Sequence, residues 1–203
     1  MERIDTLREK IEQRMSSYRL SHTLGVEKAA RALGELYMPW SIDELCIAAL
    51  LHDITKECST EEHIGILERN GVRVTENDLK SPKTLHAKTA EFEAEACFSE
   101  FVNDRICRAL RYHTTGNEDM SLFDAIIYLA DYIEETRTFS DCVKLREYFW
   151  GAEPQKMSQA DREKHLWKTV LLSLDMTVRD IEENGGYVSS ETILAKEAIA
   201  KKL

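Results

Sequence analysis

The stretch LCIAALLHDITK, residues 45–56, sets a histidine and an aspartate directly after seven consecutive apolar residues. His52 continues the face formed by Leu45, Ala48 and Ala49, so a helix here would aim this imidazole into the core. Asp53 follows it directly. A buried polar side chain without a partner costs roughly 2–7 kcal/mol. Other parts of the fold therefore have to supply partners for this His-Asp pair.

Four other predicted helices each carry one histidine or aspartate in line with their apolar residues. A single such histidine is usually a core residue with a local hydrogen bond, but six inward-facing groups indicate a shared centre. Neutral imidazole and carboxylate are good ligands for divalent first-row metals, and no cysteine accompanies them. We interpret His63 and His165 as surface residues or as residues just outside the ligand set. The further candidate ligands are His22, His86, His113 and Asp131.

Helical periodicity extends over the rest of the chain, which has only 8 glycines and 3 prolines in 203 residues. Few helix breakers favour an all-α fold. Ser41 with Glu44 has the spacing of a capping box at the start of one helix. We expect one domain, with a core over about residues 18–137 and a C-terminal helical layer over about 138–203. The predicted helices are 6–16, 18–37, 41–55, 60–71, 84–98, 102–113, 121–134, 141–150, 159–183 and 191–202.

The net charge of −10 and the absence of a lysine or arginine run argue against DNA or RNA as a partner. Nucleotides stay open, because bound metal ions reverse the charge locally. The N-terminus lacks the apolar segment of a signal peptide, and the longest apolar run is far short of the ~20 residues of a membrane span. The 5 cysteines are odd in number and contain no CxxC. We therefore expect a cytoplasmic protein with reduced thiols and no membrane partner.

The order His22, His52-Asp53, His86, His113, Asp131 resembles the HD-domain phosphohydrolase superfamily. Four segments resemble, more narrowly, the YqeK-type family of symmetrical bis(5′-nucleosyl)-tetraphosphatases, and the resemblance spans residues 18–183. It implies an all-α, single HD-domain helical bundle with a metal centre in its core and extra C-terminal helices. The four segments are ALLHDITK (49–56), TLHAKTA (84–90), YHTTGNEDMS (112–121) and IIYLADYIEETR (126–137).

The resemblance also implies a ligand set and a reaction. His22, His52, Asp53 and Asp131 would hold one divalent metal ion. His86 and His113 would hold a second, with Asp53 bridging the two. Iron is the metal that the resemblance favours, with Mn, Ni, Zn and Mg left open. The implied reaction is cleavage of diadenosine tetraphosphate and related dinucleoside polyphosphates to two ADP, through attack of a metal-bound hydroxide on a β-phosphorus.

Several residues near the proposed ligands are candidates for catalysis or for binding the phosphates of a dinucleoside polyphosphate or a nucleoside diphosphate. Lys56, one turn after His52, has the reach to contact a phosphate and joins Asp53 as a catalytic candidate; otherwise it is a solvated helix-end lysine. Arg137 is a candidate phosphate ligand or the partner of Glu134 or Glu135. The remaining candidates are Arg111, a weaker one, and Thr114, Thr115 and Gly116, which form either a phosphate-binding turn or a simple helix stop.

Three alternatives fit the same residues. The chain could be another HD-type nucleotide phosphohydrolase or a cyclic-dinucleotide phosphodiesterase. It could be a nucleotide-sensing protein without catalysis. It could also be a helical bundle whose buried histidines and aspartates bond to one another without metal. The sequence leaves a homodimer open and assigns no role to the region after Tyr187.

Overall fold

Helices account for all the regular structure that the computed structural model, which describes residues 2–203, contains. No strand lies within these residues, which confirms the all-α prediction. No helix in this part of the chain is long and apolar enough to cross a bilayer. The α-helices are α1 (Glu2–Glu12), α2 (Ser17–Tyr37), α3 (Ile42–Leu51), α4 (Thr60–Arg69), α5 (Glu76–Lys80), α6 (Leu85–Cys97), α7 (Asp104–Tyr112), α8 (Leu122–Ile133), α9 (Ser140–Gly151), α10 (Gln159–Glu183) and α11 (Ser190–Lys202).

Helix α3 lies at the centre of the fold. Every residue from Leu45 to Leu51 is buried, as expected for a helix that is apolar on all sides. It packs against α1, α2, α7 and α8. Because the most apolar stretch of the chain is enclosed in this way, the His52-Asp53 pair at its end lies in the interior and not at the surface.

The N-termini of several helices are fixed by side-chain caps. Complete capping boxes start α4 at Ser59 and α8 at Ser121, and Ser16 caps α2 by accepting a hydrogen bond from the backbone N–H of Arg19. The capping box predicted at Ser41 is wrong: this hydroxyl makes no cap and accepts a hydrogen bond from Arg105 Nη2 at 3.0 Å. The reason is local, because a 3-10 turn over Pro39–Ser41 leads directly into α3.

Most helix boundaries agree with the prediction to within two residues, with three exceptions. Helix α1 begins and ends four residues early, because Ser16 already caps the next helix. Helix α3 ends at Leu51 and not near residue 55. Beyond it, hydrogen bonds of the tighter three-residue spacing, such as Lys56 N to Asp53 O at 2.9 Å, form turns. The stretch before Pro82, expected to be irregular, contains the short helix α5.

The C-terminal helices pack on the helix that carries Asp131. Helix α10 contacts α8, α9 and α11, and Tyr128 of α8 bonds Ser173 of α10 at 3.3 Å in the buried interface. Helix α11 reaches the turn after α7, where Gly116 has a φ of +65°. A Cβ at this glycine would lie 3.0 Å from the Cβ of Ala195. The C-terminal layer is thus in close contact with a segment that carries one of the candidate ligands.

Candidate metal centre

Five segments bring the six predicted ligands to one buried place. His22 lies in the first half of α2, His86 near the start of α6 and Asp131 near the end of α8. The other three directly follow helices: His52 and Asp53 follow α3, and His113 follows α7. All six are at most 8% exposed. Residues 109 positions apart in sequence therefore share a single polar cluster inside an apolar core.

The two carboxylate oxygens of Asp53 face two different sets of histidines. Its Oδ2 lies 3.7 Å from His22 Nε2 and 3.5 Å from His52 Nε2. Its Oδ1 lies 3.3 Å from His86 Nε2 and 3.6 Å from His113 Nε2. Each set, with Asp53 included, has its ligand atoms within 4.8 Å of one another. Asp53 is therefore placed to contact two cations at once.

Asp131 lies beside the first of these sets. Its Oδ1 is 3.0 Å from His22 Nε2 and 3.7 Å from His52 Nε2. Neither of these two histidine nitrogens makes a hydrogen bond within the described residues. Asp131 thus adds a second carboxylate beside the first set; its role as a metal ligand stays a prediction.

The four histidines are held in the same tautomer by hydrogen bonds from Nδ1. In His52, His86 and His113, Nδ1 donates to the backbone carbonyl three residues earlier, at 2.6, 2.7 and 2.7 Å. In His22, Nδ1 donates to Glu134 Oε1 at 3.0 Å. An imidazole whose Nδ1 carries the proton offers the lone pair of Nε2 to a metal. All four Nε2 atoms point into the cluster.

The polar atoms left without partners fit bound cations. His22 Nε2, His52 Nε2 and Asp53 Oδ1 are buried and lack a hydrogen-bond partner in residues 2–203, and each such atom costs about 1–3 kcal/mol. The Nε2 atoms of His86 and His113 lie 3.1 Å apart with their lone pairs facing each other. Nitrogen and carboxylate donors without thiolate suit divalent transition metals. The residues present therefore fit two such ions.

The protonation equilibria favour metal ligands at Asp53 and His86, whereas at His22 a proton competes with a metal ion. Burial alone would raise the pKa of Asp53, but the imidazoles of His52 and His113 hold it well below its usual range. Burial, and then the ammonium of Lys56, hold the pKa of His86 well below its usual range. Burial would lower the pKa of His22, but the carboxylates of Asp131 and Glu134 outweigh it and raise this pKa to about 9. Metal binding at the first set would therefore displace a proton from His22.

Comparison with known proteins places this arrangement in a family. The sequence model of the HD domain family matches residues 19–136, more than half of the chain. The chain belongs to the HD domain family. Proteins with this domain depend on metal ions, in agreement with the two His/Asp sets of the structure.

Curated relatives of this HD-domain chain are enzymes. It is 32% identical over 139 residues to the symmetrical bis(5′-nucleosyl)-tetraphosphatase of Bacillus subtilis, an alignment that covers 68% of this chain and 72% of the relative. It is 27% identical over 171 residues to the protein of the same name from Staphylococcus aureus, with 82% and 84% covered. The HD-domain chain is therefore a hydrolase.

A solved structure shares the complete fold. The crystal structure of a "predicted HD superfamily hydrolase involved in NAD metabolism" from Clostridium acetobutylicum superposes with a TM-score of 0.83. It is 26% identical in sequence, and the match covers 98% of this HD-domain chain and 97% of the other. Because the coverage is nearly complete, the C-terminal helices outside residues 19–136 belong to the shared architecture.

Three cationic side chains surround the HD-domain centre. Arg19 forms an ion pair with Asp53 Oδ2. Lys56 Nζ lies 3.9 Å from Asp53 Oδ1 and donates to His86 Nε2 at 3.0 Å. Arg137 forms an ion pair with Asp131. The Lys56 side chain is 33% exposed, so the centre opens to solvent beside this ammonium group.

The turn after His113 contributes one side chain to the HD-domain centre. Thr114 Oγ1 lies 3.1 Å from His86 Nε2. Thr115 is buried, and its hydroxyl donates to the carbonyl of Gly116 at 2.9 Å. The N–H of Gly116 donates to Tyr112 O at 2.8 Å and closes α7. The turn therefore uses the groups of Thr115 and Gly116 for its own structure, and Thr114 is the member whose hydroxyl reaches the cluster.

Both arginine candidates of the HD hydrolase form ion pairs with carboxylates of the chain itself. Arg111 donates to Glu191 Oε1 of α11 at 2.8 Å and makes no contact with the six ligands; its role in substrate binding stays a prediction. Arg137 donates from Nε to the backbone O of Asp131 at 2.6 Å. The alternative ion pair of Arg137 with Glu134 or Glu135 does not form, because the chain turns after α8 and directs the guanidinium back to Asp131.

Two residues of the HD-domain site escaped sequence reasoning. Glu134 is fully buried and orients His22, and it accepts further hydrogen bonds from the N–H and hydroxyl of Thr136 at 2.6 and 2.7 Å. Arg19 contacts the bridging carboxylate. Arg19 lies three positions before His22 in the first turn of α2, and Glu134 lies three positions after Asp131, directly beyond α8. The i,i+3 spacing is therefore the signal that the sequence offers for both. The signal is weak without knowledge of how α2 and α8 pack.

The last two histidines, His63 and His165, are buried in this HD-domain chain, and the surface alternative for them is wrong. His63 Nδ1 bonds Thr89 Oγ1 at 2.9 Å. His165 stacks on the ring of Phe149, with 5.3 Å between centroids, and bonds its carbonyl at 3.0 Å. Both are core histidines with their own partners, and neither reaches the six-residue cluster.

Proposed function

We propose that this HD hydrolase cleaves diadenosine tetraphosphate and related dinucleoside polyphosphates symmetrically, giving two molecules of ADP. The observation that carries the proposal is the placement of Asp53 between two sets of histidine ligands, one for each oxygen. Two cations held in this way suit the hydrolysis of a phosphoanhydride inside a long phosphate chain. The names of the relatives from Bacillus subtilis and Staphylococcus aureus support the same substrate class.

Two divalent ions are the cofactors that the proposal requires, with iron as the expected metal. His22, His52, Asp53 and Asp131 would hold one ion. His86 and His113, together with Asp53, would hold the other. When bound, the ions would lower the pKa of a water molecule and neutralise charge on the phosphate chain. Asp53 serves as a ligand and not as a proton donor, because its depressed pKa keeps it ionised at neutral pH.

The bond changes of the proposed reaction are those of a simple hydrolysis. The oxygen of water forms a bond to one β-phosphorus. The bond from that phosphorus to the central bridging oxygen breaks, and its electron pair stays on the ADP that leaves. The leaving β-phosphate is a good leaving group once its charge is neutralised. Lys56 is placed for this task, because its ammonium lies at the opening of the centre and next to both Asp53 and His86.

The other cations and Thr114 would position the substrate and the ligands. Arg137 holds Asp131 through both its side chain and its backbone carbonyl, which keeps that carboxylate aimed at the first set. Arg19 does the same for Asp53. The Thr114 hydroxyl lies beside His86 Nε2 and would contact the phosphate nearest the second set.

A product analysis in labelled water tests the proposal. Diadenosine tetraphosphate is hydrolysed in H₂¹⁸O by the metal-loaded enzyme, and the nucleotides are separated and weighed by mass spectrometry. We expect ADP as the sole nucleotide product, with one ¹⁸O atom in half of the ADP molecules. AMP together with ATP would overturn the symmetrical assignment. The variant Asp53→Asn serves as the inactive control.

A second substrate class has one observation in its favour. The structural relative from Clostridium acetobutylicum is described as involved in NAD metabolism, and NAD also contains a phosphoanhydride between two nucleosides. The same assay with NAD, at matched concentration, separates the two. We expect a kcat/KM for diadenosine tetraphosphate at least 100-fold higher, and a preference for NAD would replace the proposed substrate. That ratio corresponds to about 2.7 kcal/mol of transition-state stabilisation.

A further inference from the structure

A cavity of about 370 Å³ adjoins the centre on the side of His86. One wall is the 3-10 turn over Pro82–Thr84, and a second is formed by Thr114 and Thr115. The end of α10 and the segment 186–192, which leads into α11, close it on the opposite side. Its volume lies in the range of roughly 300–1,000 Å³ that is typical of small-molecule sites.

The cavity is joined to the second ligand set by two hydrogen bonds. Lys83 lines the cavity, and its backbone carbonyl accepts the 2.7 Å hydrogen bond that fixes His86. Thr114 also lines it, and its hydroxyl lies 3.1 Å from His86 Nε2. A phosphate held at His86 and His113 would therefore lie directly at the mouth of the cavity. Whatever is attached to that phosphate would enter it.

The lining has the chemistry of a nucleoside site. The charged residues of the lining are Lys80, Lys83 and Asp180, so the cavity has a net positive lining in a chain whose net charge is −10. The ring of Tyr187 is 36% exposed and lies under the ammonium of Lys80, which is 5.6 Å from its centroid. Aromatic rings are sequence-tolerant platforms for nucleic-acid bases. Asn184, the residue after α10, donates from Nδ2 to Asp180 Oδ1 at 3.2 Å. The other carboxylate oxygen of Asp180 and the amide oxygen of Asn184 would accept hydrogen bonds from a base edge.

The C-terminal helix holds this wall in place. Glu191, at the start of α11, accepts hydrogen bonds from Arg111 at 2.8 Å and from Thr115 at 3.2 Å. The backbone carbonyl of Tyr187 accepts a hydrogen bond from Ser81 Oγ at 2.8 Å. The segment that carries Tyr187 is thus tied to both of the other walls. A preformed cavity, and not an open surface, results from these contacts.

We propose that this cavity binds the base and ribose of the nucleotide whose phosphates lie at His86 and His113. The proposal rests on the proposed function, since it takes the ligand to be one ADP half of the substrate. Lys80 and Lys83 would neutralise the phosphate next to the ribose, and Tyr187 would stack on the base. This gives the region after residue 184 a role in substrate recognition.

Binding of ADP and of inorganic pyrophosphate to the metal-loaded protein separates the cavity from the metal centre. Pyrophosphate has the same pair of phosphates and no nucleoside. By isothermal titration calorimetry, we expect the wild type to bind ADP at least 10-fold more tightly than pyrophosphate. Tyr187→Ala should weaken ADP binding roughly 5- to 100-fold and leave pyrophosphate binding unchanged. Tyr187→Phe, which keeps the ring, should bind ADP within about 3-fold of the wild type.

Tyr148→Ala is the matched control, because Tyr148 is a 43% exposed tyrosine of α9. It contacts His165, which is 15 residues before Asp180 on α10 and hence roughly 22 Å from it. This variant should bind ADP like the wild type. Circular dichroism and metal content check that each variant is folded and loaded.

The outcomes distinguish a failure of the proposed nucleoside site from a failure of the proposed reaction. The cavity is not the nucleoside site if Tyr187→Ala binds ADP like the wild type, or if its affinities for ADP and pyrophosphate fall equally. This conclusion holds even if the wild type converts diadenosine tetraphosphate to two ADP. If Tyr187→Ala loses ADP selectively but the wild type leaves diadenosine tetraphosphate intact, the nucleoside site stands and the proposed reaction fails.

Discussion

Replacement of Gly25 by alanine should loosen the first metal site without unfolding the protein. Gly25 lies on α2, three residues after His22, and a Cβ built at this position would be 2.3 Å from Glu134 Oε2. Ordinary contact begins at 3.4 Å, so the carboxylate has to move by about 1 Å. Glu134 is fully buried and is held by Thr136 through bonds of 2.6 and 2.7 Å. The carboxylate moves as one rigid group, so displacing Oε2 also stretches the 3.0 Å bond from His22 Nδ1 to Oε1.

Two energies of opposite sign set the expected size of the effect. Alanine stabilises a helix interior by about 1 kcal/mol relative to glycine, which offsets much of the cost of moving Glu134. Loss of the group that orients a metal-bound histidine typically lowers metal affinity 10- to 100-fold. We therefore expect Gly25→Ala to unfold within about 1 kcal/mol of the wild type in urea. Its affinity for Mn²⁺ at the first site should fall by the full 10- to 100-fold.

Calorimetric titration of the metal-free protein with Mn²⁺ measures this effect. Gly151→Ala is the matched control, because a Cβ there meets nothing within 4 Å, and it should bind Mn²⁺ like the wild type. Glu134→Gln should reproduce most of the loss of Mn²⁺ affinity expected for Gly25→Ala, because it weakens the acceptor of the His22 Nδ1 hydrogen bond without a clash. A folded Gly25→Ala protein with unchanged Mn²⁺ affinity would refute the orienting role of Glu134.

Three further substitutions test the roles of individual residues. Lys56→Ala should keep its metal content by plasma mass spectrometry but lose about 10²- to 10³-fold in kcat; normal turnover would exclude Lys56 from catalysis. Burial raises the pKa of Glu91 to about 7, so its contribution to stability is present below its unfolded pKa and lost as the pH rises through 7. Glu91→Gln should therefore stabilise the protein against urea by about 1–3 kcal/mol at pH 8 but not at pH 4, and an equal gain at both would contradict this. Gly116→Ala should destabilise the protein more than Gly71→Ala. Both glycines have positive φ, but an alanine at 116 also crowds Ala195. Equal losses of about 1–2 kcal/mol would mean that only backbone strain matters.

The sequence was sufficient to predict which six side chains cluster, because each lies on or directly beyond an apolar helix face. The periodicity that buries Leu45 and Ala49 also buries His52, whatever the rest of the fold does. The same argument holds for the other three histidines of the cluster and for Asp131. A polar side chain in such a position needs a partner, and the structure brings the six groups together.

The interactions that the sequence did not predict depend on contacts between distant segments. Arg111 meets Glu191 across 80 residues, and no local pattern indicates this ion pair. Helix periodicity also left a surface position open for His165. The residue is buried because its ring stacks on Phe149 of α9. For Thr115 and Gly116 the sequence left open a phosphate-binding turn or a simple helix stop, and in the structure their groups end α7 and meet α11. Tertiary packing, and not local propensity, decides each of these cases.

The number of metal ions bound per chain is the most direct test of a two-metal centre bridged by Asp53. The wild type and Asp53→Ala are purified without oxygen, loaded with a single divalent metal and analysed for bound ions per folded chain. With Asp53 shared by both sets of ligands, the wild type should hold two ions and Asp53→Ala close to none. A wild type that never binds more than one ion, or an Asp53→Ala variant that keeps both, would contradict the bridged two-metal centre.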